Sequence, residues 1–536
     1  MKTVKVLDVT LRDGGCVNNF NFGQSYMERI LKAQEASGVE MIELGYIDEK
    51  KGSTSDRTQY INDKVIVDCI LKHKKQGITY VAMIDYGKFN VDNLESRTNK
   101  SIDGLRIAFH KKDMHKIVPD CRKIIEKGYE LYIQPMITLR YSDEELLDLI
   151  KVVNKELPDA SGFYIVDSFG EMRPNDMNRA LNLVDHNLIS SMALGFHSHN
   201  NLQMSYSNAC AMLQFPTNRN LMLDSSIMGM GKGAGNLNTE LLLEHLNLYY
   251  GKDYKINPLL EVIDKVINQL HSEYYWGYAP EYYLSSAHHC TPSYAGHFYN
   301  KHMLPIDQVA QLLSMIDEDK KVSFDENYAE ELWRSYNESK QVDDSEVVKE
   351  LKKVFANKRV LLIAPGKNIS THKNDIEEII KEKDVVSIGL NLTRLFIVDF
   401  LMTTRQDVYN MAVTQGKNVI TTSNISKGAR GNVKILNYKN WIEISNGRTH
   451  DSSSIVTFNL LKSCGVKEIL LAGFDGFMVN INENYFDPEL RRPVSIEQVN
   501  RRNKYYASFI KKMQSDGINV KFITPSIYEQ ILIDEQ

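Results

Sequence analysis

Two short stretches, far apart in the chain, carry the residue types that bind a metal ion and stabilise developing negative charge. The first is TLRDGG, Thr10 to Gly15. It follows an apolar run that reads as a strand, and it sets Arg12 and Asp13 where packing asks for nothing polar. The second is GFHSHNN, in which His197 and His199 stand two residues apart. Residues i and i+2 of a strand face the same side, so the two imidazoles can converge. With the Asp13 carboxylate they make a two-histidine, one-carboxylate set for a divalent cation, with positions left open for a substrate. Taken alone, the His-x-His pair also fits structural or surface histidines.

Converging these residues requires a scaffold that brings strand ends together. The first 250 or so residues alternate β-rich runs with amphipathic helical stretches. Eight strands are predicted: VKVLDVTL from Val4, VEMIELGY from Val39, TYVAMIDY from Thr79, GLRIAFH from Gly104, YELYIQPMIT from Tyr129, GFYIVDS from Gly162, ALGFHSH from Ala193 and NLMLDSSI from Asn220. Eight strand-helix units in this length predict a TIM (β/α)8 barrel rather than an open doubly wound sheet. In that fold the active site lies at the C-terminal ends of the strands. TLRDGG and HSHNN sit there, as do Glu43, Asp85, Asp167 and Ser168. A glycine-rich run, GMGKGAGNLNTE from Gly229, follows the eighth strand; it reads both as a loop before a helix and as backbone that approaches a ligand closely.

Beyond the barrel, residues 256–345 read as a helical appendage. Residues 356–536 return to alternating strands and helices, which predicts a second α/β, Rossmann-like domain with a mainly parallel sheet. The expected architecture is therefore α/β throughout: a barrel over 1–255, the appendage, and the C-terminal domain. A length of 536 residues calls for two or three domains. A formal net charge of -5 without a basic tract gives no reason to expect nucleic acid or anionic membrane as a partner. No run is apolar enough to span a bilayer, and MKTVKVLDVT lacks the apolar core of a signal peptide, so a cytoplasmic location is expected. The six cysteines are scattered without a CxxC pair, which argues against a zinc site or a disulfide framework.

TLRDGG, IELGY, IVDSFG, GFHSHNN and GMGKGAGN, in that order and spacing, resemble the aldolase and lyase branch of the DRE-TIM metallolyases, and most of all the 4-hydroxy-2-oxovalerate aldolase family. The resemblance covers about 300 residues and implies the following. Asp13, His197 and His199 bind Mn²⁺ or Mg²⁺, with Asn236 as a further ligand or a neighbour of the ligands. Arg12 stabilises an enolate oxygen, although it also fits a structural salt bridge. Glu43, Asp167 and Ser168 face the substrate, a small 2-oxo acid that forms from or yields an aldehyde. A homo-oligomer is expected.

One departure stands at the implied base: the related aldolases carry a histidine three residues after the metal aspartate, and here that position is Cys16. A neighbouring cation could lower its pKa and make it a base, or it could be inert. Other candidates are His288, His289 and Tyr294 in SAHHCTPSYAG, which resembles the aldolase segment that reaches over the barrel mouth. An acyl-CoA condensing synthase would need a glutamate soon after the aspartate, where this chain has DGGC. The C-terminal domain resembles bacterial sialyltransferase-like proteins in part, which implies nucleotide binding at Gly366, Asn391 and Ser453. That would suit a bifunctional enzyme of surface-glycan biosynthesis, and a purely structural domain is the other reading.

Overall fold

The structure is a computed structural model that describes residues 3–51, 54–302, 304, 306–338, 341–392, 394–426, 432–445, 448–486 and 496–534. The chain divides into two compact units, 1–296 and 297–536. The helical stretch after residue 256 is shared: helices up to Pro292–Gly296 go with the first unit, and those from His297 with the second.

In the first unit the strands are β1 (Val4–Asp8), β2 (Met41–Ile47), β3 (Gln59–Tyr60), β4 (Thr79–Asp85), β5 (Gly104–Phe109), β6 (Glu130–Pro135), β7 (Gly162–Asp167), β8 (Ala193–Ser198) and β9 (Leu221–Ser225). They run in the order β1-β9-β8-β7-β6-β5-β4-β2-β3, and β1 also pairs with β2, so eight parallel strands close into a barrel. All eight predicted strands are present. The extra strand, β3, is two residues long and lies outside the closed ring against β2.

The near-continuous apolar runs of these strands reflect burial on both faces. One set of side chains packs under the surrounding helices, Ile42, Leu105, Ile133 and Leu194 among them. The alternate set fills the barrel, where Leu7, Met41, Val81, Tyr132, Tyr164 and Met222 make an apolar plug. Two positions further along, that inward face becomes ionic at Glu43 and Asp224, in line with the side-chain period of two. The helices are delimited by local chemistry. Gln24–Ser37 stops at Gly38, whose φ of 85° is left-handed, and Asp143–Glu156 starts with a capping box between Ser142 and Glu145.

The second unit holds a seven-stranded parallel sheet of β10 (Arg359–Ile363), β11 (Val385–Leu390), β12 (Phe400–Thr403), β13 (Val419–Thr422), β14 (Val433–Leu436), β17 (Glu468–Ala472) and β18 (Asn519–Phe522), with a small antiparallel pair, β15 (Glu443–Ser445) and β16 (Arg448–His450). The sheet order is β14-β13-β12-β11-β10-β17-β18. Val360 and Leu362 of β10 enter one apolar core and Leu361 and Ile363 another, so both faces of the sheet are covered.

Candidate active site

Asp13, His197 and His199 come together at the C-terminal end of the barrel, all three buried, with one potential ligand atom from each lying within 4.8 Å of the others. Each histidine has its Nδ1 already engaged. His197 Nδ1 lies 2.9 Å from Asp224 Oδ2, and His199 Nδ1 lies 3.2 Å from the Lys232 carbonyl. Those bonds favour the tautomers that leave both Nε2 atoms as free acceptors, and His199 Nε2 is 4.0 Å from Asp13 Oδ2. Burial pushes the His199 imidazole down to about 4, so it is neutral near pH 7 and has a lone pair to give. Burial alone would raise the Asp13 carboxyl, but Arg12 and the two histidines hold it well below the usual carboxylate range.

Asn236 completes the group. Its Nδ2 donates to Asp13 Oδ2 at 2.7 Å, while its Oδ1 is buried with no hydrogen-bond partner among the described residues. A buried acceptor left unmatched is costly, and here it stands beside three ligating side chains. This donor set fits a divalent cation. Glycine at 231 is required by the crowding: a Cβ there would stand 2.4 Å from Asn236 Nδ2 and 2.7 Å from Asp13 Oδ2. The glycine-rich loop thus presses its backbone directly onto the ligands.

Beneath the ligands runs a buried chain of charges. Arg12 Nη1 donates to Asp13 Oδ1 and its Nε to Glu43 Oε2, both at 2.7 Å. Glu43 also faces Arg106 at 2.9 Å, Arg106 bonds Asp224, and Asp224 holds His197. Arg106 and Glu43 are fully buried, and the Arg106 guanidinium lies 4.8 Å from the Tyr164 ring centroid. Despite burial, Glu43 and Asp13 raise the pKa of Arg12, which stays cationic. Its Nη2 is buried without a partner among the described residues.

Around the mouth, Cys16 follows Asp13 in the tight turn Gly14–Cys16, with its N–H bonded to the Asp13 carbonyl. The side chain is exposed. Desolvation, and then the Asp13 carboxylate, push its thiol upward, and they outweigh the opposing pull of Arg12 and Lys232. The lowering by a cation that a thiolate base would require is therefore not what this environment provides. Asp85, at the end of β4, is half-buried beside the Tyr46 hydroxyl; burial raises its carboxyl, while Tyr46 and Arg12 oppose that rise.

Several expected substrate contacts have internal partners instead. Glu43 holds two arginines. Asp167 accepts the backbone N–H groups of Glu171 and Met172 at 2.9 and 3.0 Å, which shapes its own loop, and burial raises its carboxyl to about 7. Ser168 accepts the Ile137 N–H. The segment with His288, His289 and Tyr294 does pack on loops at the strand ends, through Ser286 to the Phe169 carbonyl and Arg140 to the His289 carbonyl. His289 is tied through Nδ1 to Glu171 at 2.7 Å while its side chain stays exposed, whereas Tyr294 is wholly buried. In the second unit, Ser453 Oγ donates to Asn391 Oδ1 at 3.1 Å, joining two of the three expected nucleotide residues. Gly366 lies elsewhere, packed against the Gly473 carbonyl and Asp475.

Arg106 and Asp224 were not anticipated as part of the site. Their signal in the sequence is a charged residue inside each of two otherwise apolar barrel strands, GLRIAFH and NLMLDSSI.

Residues 3–264 match the family model described as HMGL-like. The 4-hydroxy-2-oxovalerate aldolase of Bacillus thuringiensis is 26% identical over 274 residues, 50% of this chain and 77% of that protein. The 4-hydroxy-2-oxovalerate aldolase 2 of Comamonas testosteroni is 28% identical over 244 residues, 45% of this chain and 68% of that protein. Among solved structures, the N-terminal domain of a Bacteroides vulgatus protein assigned as an aldolase is 24% identical with a TM-score of 0.46, covering 58% of this chain and 97% of that one. The barrel half of the chain is an HMGL-like domain of the DRE-TIM metallolyase superfamily.

Proposed function

We propose that the barrel is a divalent-metal-dependent aldolase that cleaves or forms the C3–C4 bond of a 4-hydroxy-2-oxo acid by way of the pyruvate enolate. The observation that carries this reading is the convergence of Asp13, His197 and His199 with both Nδ1 atoms already engaged and Asn236 Oδ1 unmatched. Those four residues would hold Mn²⁺ or Mg²⁺, which when bound supplies Lewis acidity to the substrate's keto oxygen.

The chain's own residues supply the rest. Arg12 keeps its positive charge, and its unmatched Nη2 stands beside Asp13, suited to the oxygen on which enolate charge develops. A single donor in such a role is worth about 3–4 kcal/mol. In the cleavage direction a base takes the 4-hydroxyl proton, the C4–O bond becomes a carbonyl as C3–C4 breaks, and the electron pair passes to the enolate, which is then protonated at C3. Asp85 with Tyr46 is the acid-base pair favoured at the mouth, because a raised carboxyl is a better proton acceptor than an ordinary one. An acyl-CoA condensation finds no support in DGGC.

The test is the release of pyruvate and acetaldehyde from 4-hydroxy-2-oxovalerate by the full chain with Mn²⁺, each product followed through its own dehydrogenase. Metal-dependent release of both in equal amounts, with kcat lowered in Asp85→Asn, supports the reading. Absence of turnover with this acid and with longer 4-hydroxy-2-oxo acids, in protein that binds Mn²⁺, contradicts it.

A further inference from the structure

The second unit carries a group of metal-ligating side chains that has no part in the barrel. His297, His302 and Glu330 each offer one ligand atom, and the three atoms lie within 4.8 Å of one another. Water has little access to them, since the side chains are only 8%, 3% and 2% exposed. The group uses no cysteine, so the spacing of the cysteines gives no sign of it.

The local backbone explains the convergence. Residues His297–Lys301 form a π-helical turn. Its i→i+5 winding is wider than that of an α-helix, so His297 and His302 face the same side, with ring centroids 5.5 Å apart. Such turns occur frequently at functional sites. Glu330 arrives from the helix Glu326–Glu338, and Trp333, three residues later on the same face, packs on the His302 ring at 4.8 Å. Phe324 lies 5.3 Å from the His297 ring. Both imidazoles are thereby held in place by aromatic neighbours.

The distribution of donors on Glu330 separates this group from an ordinary ion pair. His297 Nε2 stands 2.9 Å and His302 Nε2 3.1 Å from the same oxygen, Oε1, and the Lys301 ammonium bonds that oxygen too. Oε2 receives only the Thr449 N–H, at 3.4 Å, among the described residues. A carboxylate has about four acceptor positions shared between its two oxygens, so three nitrogens crowded on one of them are poorly served. A zinc ion with ligands at about 2.0–2.1 Å in a tetrahedron keeps its ligand atoms roughly 3.3 Å apart, and both imidazole nitrogens are already near that distance from Oε1. Lys301 occupies the place of a cation without being committed to it: its Nζ also lies 3.1 Å from Glu326 Oε1, a second carboxylate to which it can move.

We propose that His297, His302 and Glu330 bind a zinc ion, which displaces Lys301 toward Glu326. On binding, each imidazole turns its Nε2 lone pair to the ion and carries its proton on Nδ1, while the ammonium leaves Glu330 with its charge unchanged. Two imidazoles and a carboxylate leave a fourth position for water or another ligand. That position opens toward a cavity of about 500 Å³ lined by His302, Trp333 and Thr449 among others. Trp333 Nε1 and Thr449 Oγ1 are buried without hydrogen-bond partners among the described residues, and a ligand on the ion would supply them.

The test counts Zn²⁺ by equilibrium dialysis, with Co²⁺ as a visible reporter, in the full chain carrying Asp13→Asn and His199→Ala so that the barrel set is dismantled. One equivalent of either metal is expected to bind, Co²⁺ with the strong visible absorption of a four-coordinate site. Adding Glu330→Gln or His302→Ala should weaken binding by about 100-fold or more, as the loss of one of three protein ligands. Adding Lys301→Met removes the competing ammonium and keeps every ligand, so binding should be equal or tighter. Circular dichroism confirms that each variant is folded. No bound metal in the folded chain, binding untouched by Glu330→Gln or His302→Ala, or binding lost in Lys301→Met would each overturn the proposal. None of these outcomes depends on the barrel's reaction.

Discussion

Asp224 Oδ2 stands 2.9 Å from His197 Nδ1 and is also bonded by Arg106, so one carboxylate orients a candidate metal ligand and neutralises a guanidinium inside the barrel. The metal set is thereby coupled to a buried ionic chain that ends at Arg12, beside Asp13.

That coupling makes Asp224 a positioning residue. Asp224→Asn keeps the size of the side chain but removes the charge that fixes the His197 tautomer. Mn²⁺ affinity measured by titration calorimetry is expected to fall about 10–100-fold, the usual cost of losing such a partner. Unchanged affinity would mean that His197 is oriented by packing alone.

Arg106 is fully buried between Glu43 and Asp224. Arg106→Leu leaves two carboxylates inside the barrel without their shared cation, and the expected loss is about 3–5 kcal/mol in urea unfolding of the barrel transition. Arg106→Lys should not restore stability, since one ammonium cannot span both carboxylates with the geometry of a planar fork.

Gly231→Ala sets a methyl group against Asp13 and Asn236. The variant is expected to fold, with a cost of about 1–3 kcal/mol for overpacking, and to bind Mn²⁺ much more weakly than the parent. Equal metal binding would show that the loop moves away freely and does not press on the ligands.

Cys16 is exposed yet its thiol is raised. A raised thiol lowers the thiolate fraction at any pH below its own pKa, so alkylation of Cys16 at pH 8, followed by peptide mass spectrometry, should be slower than that of free cysteine. The rate should climb only as the pH rises well past about 8.5, the ordinary cysteine value. Cys16→Ser is expected to keep most of kcat; a loss of about 100-fold or more would make Cys16 the base after all.

Much of this was legible in the sequence because a closed parallel barrel writes each strand as its own apolar run and exposes its function as polar residues at strand ends. Asp13, His197 and His199 were readable for that reason, and the structure brings them together. The chain Glu43–Arg106–Asp224 was not, since Arg106 and Asp224 are 118 residues apart and meet only when the barrel closes. Glu43, Asp167 and Ser168 stand at strand ends as predicted, but position alone does not tell a side chain that faces substrate from one that holds its own scaffold. β3 escaped for a simpler reason: at two residues it is too short to carry a period.

The most direct test of the central claim is exchange of the pyruvate methyl protons in D₂O, followed by NMR with and without Mn²⁺, for the parent chain, Asp13→Asn and His197→Ala. The account predicts exchange that requires the metal and is lost in both variants. Metal binding by the parent chain without any exchange would contradict enolate formation in this barrel.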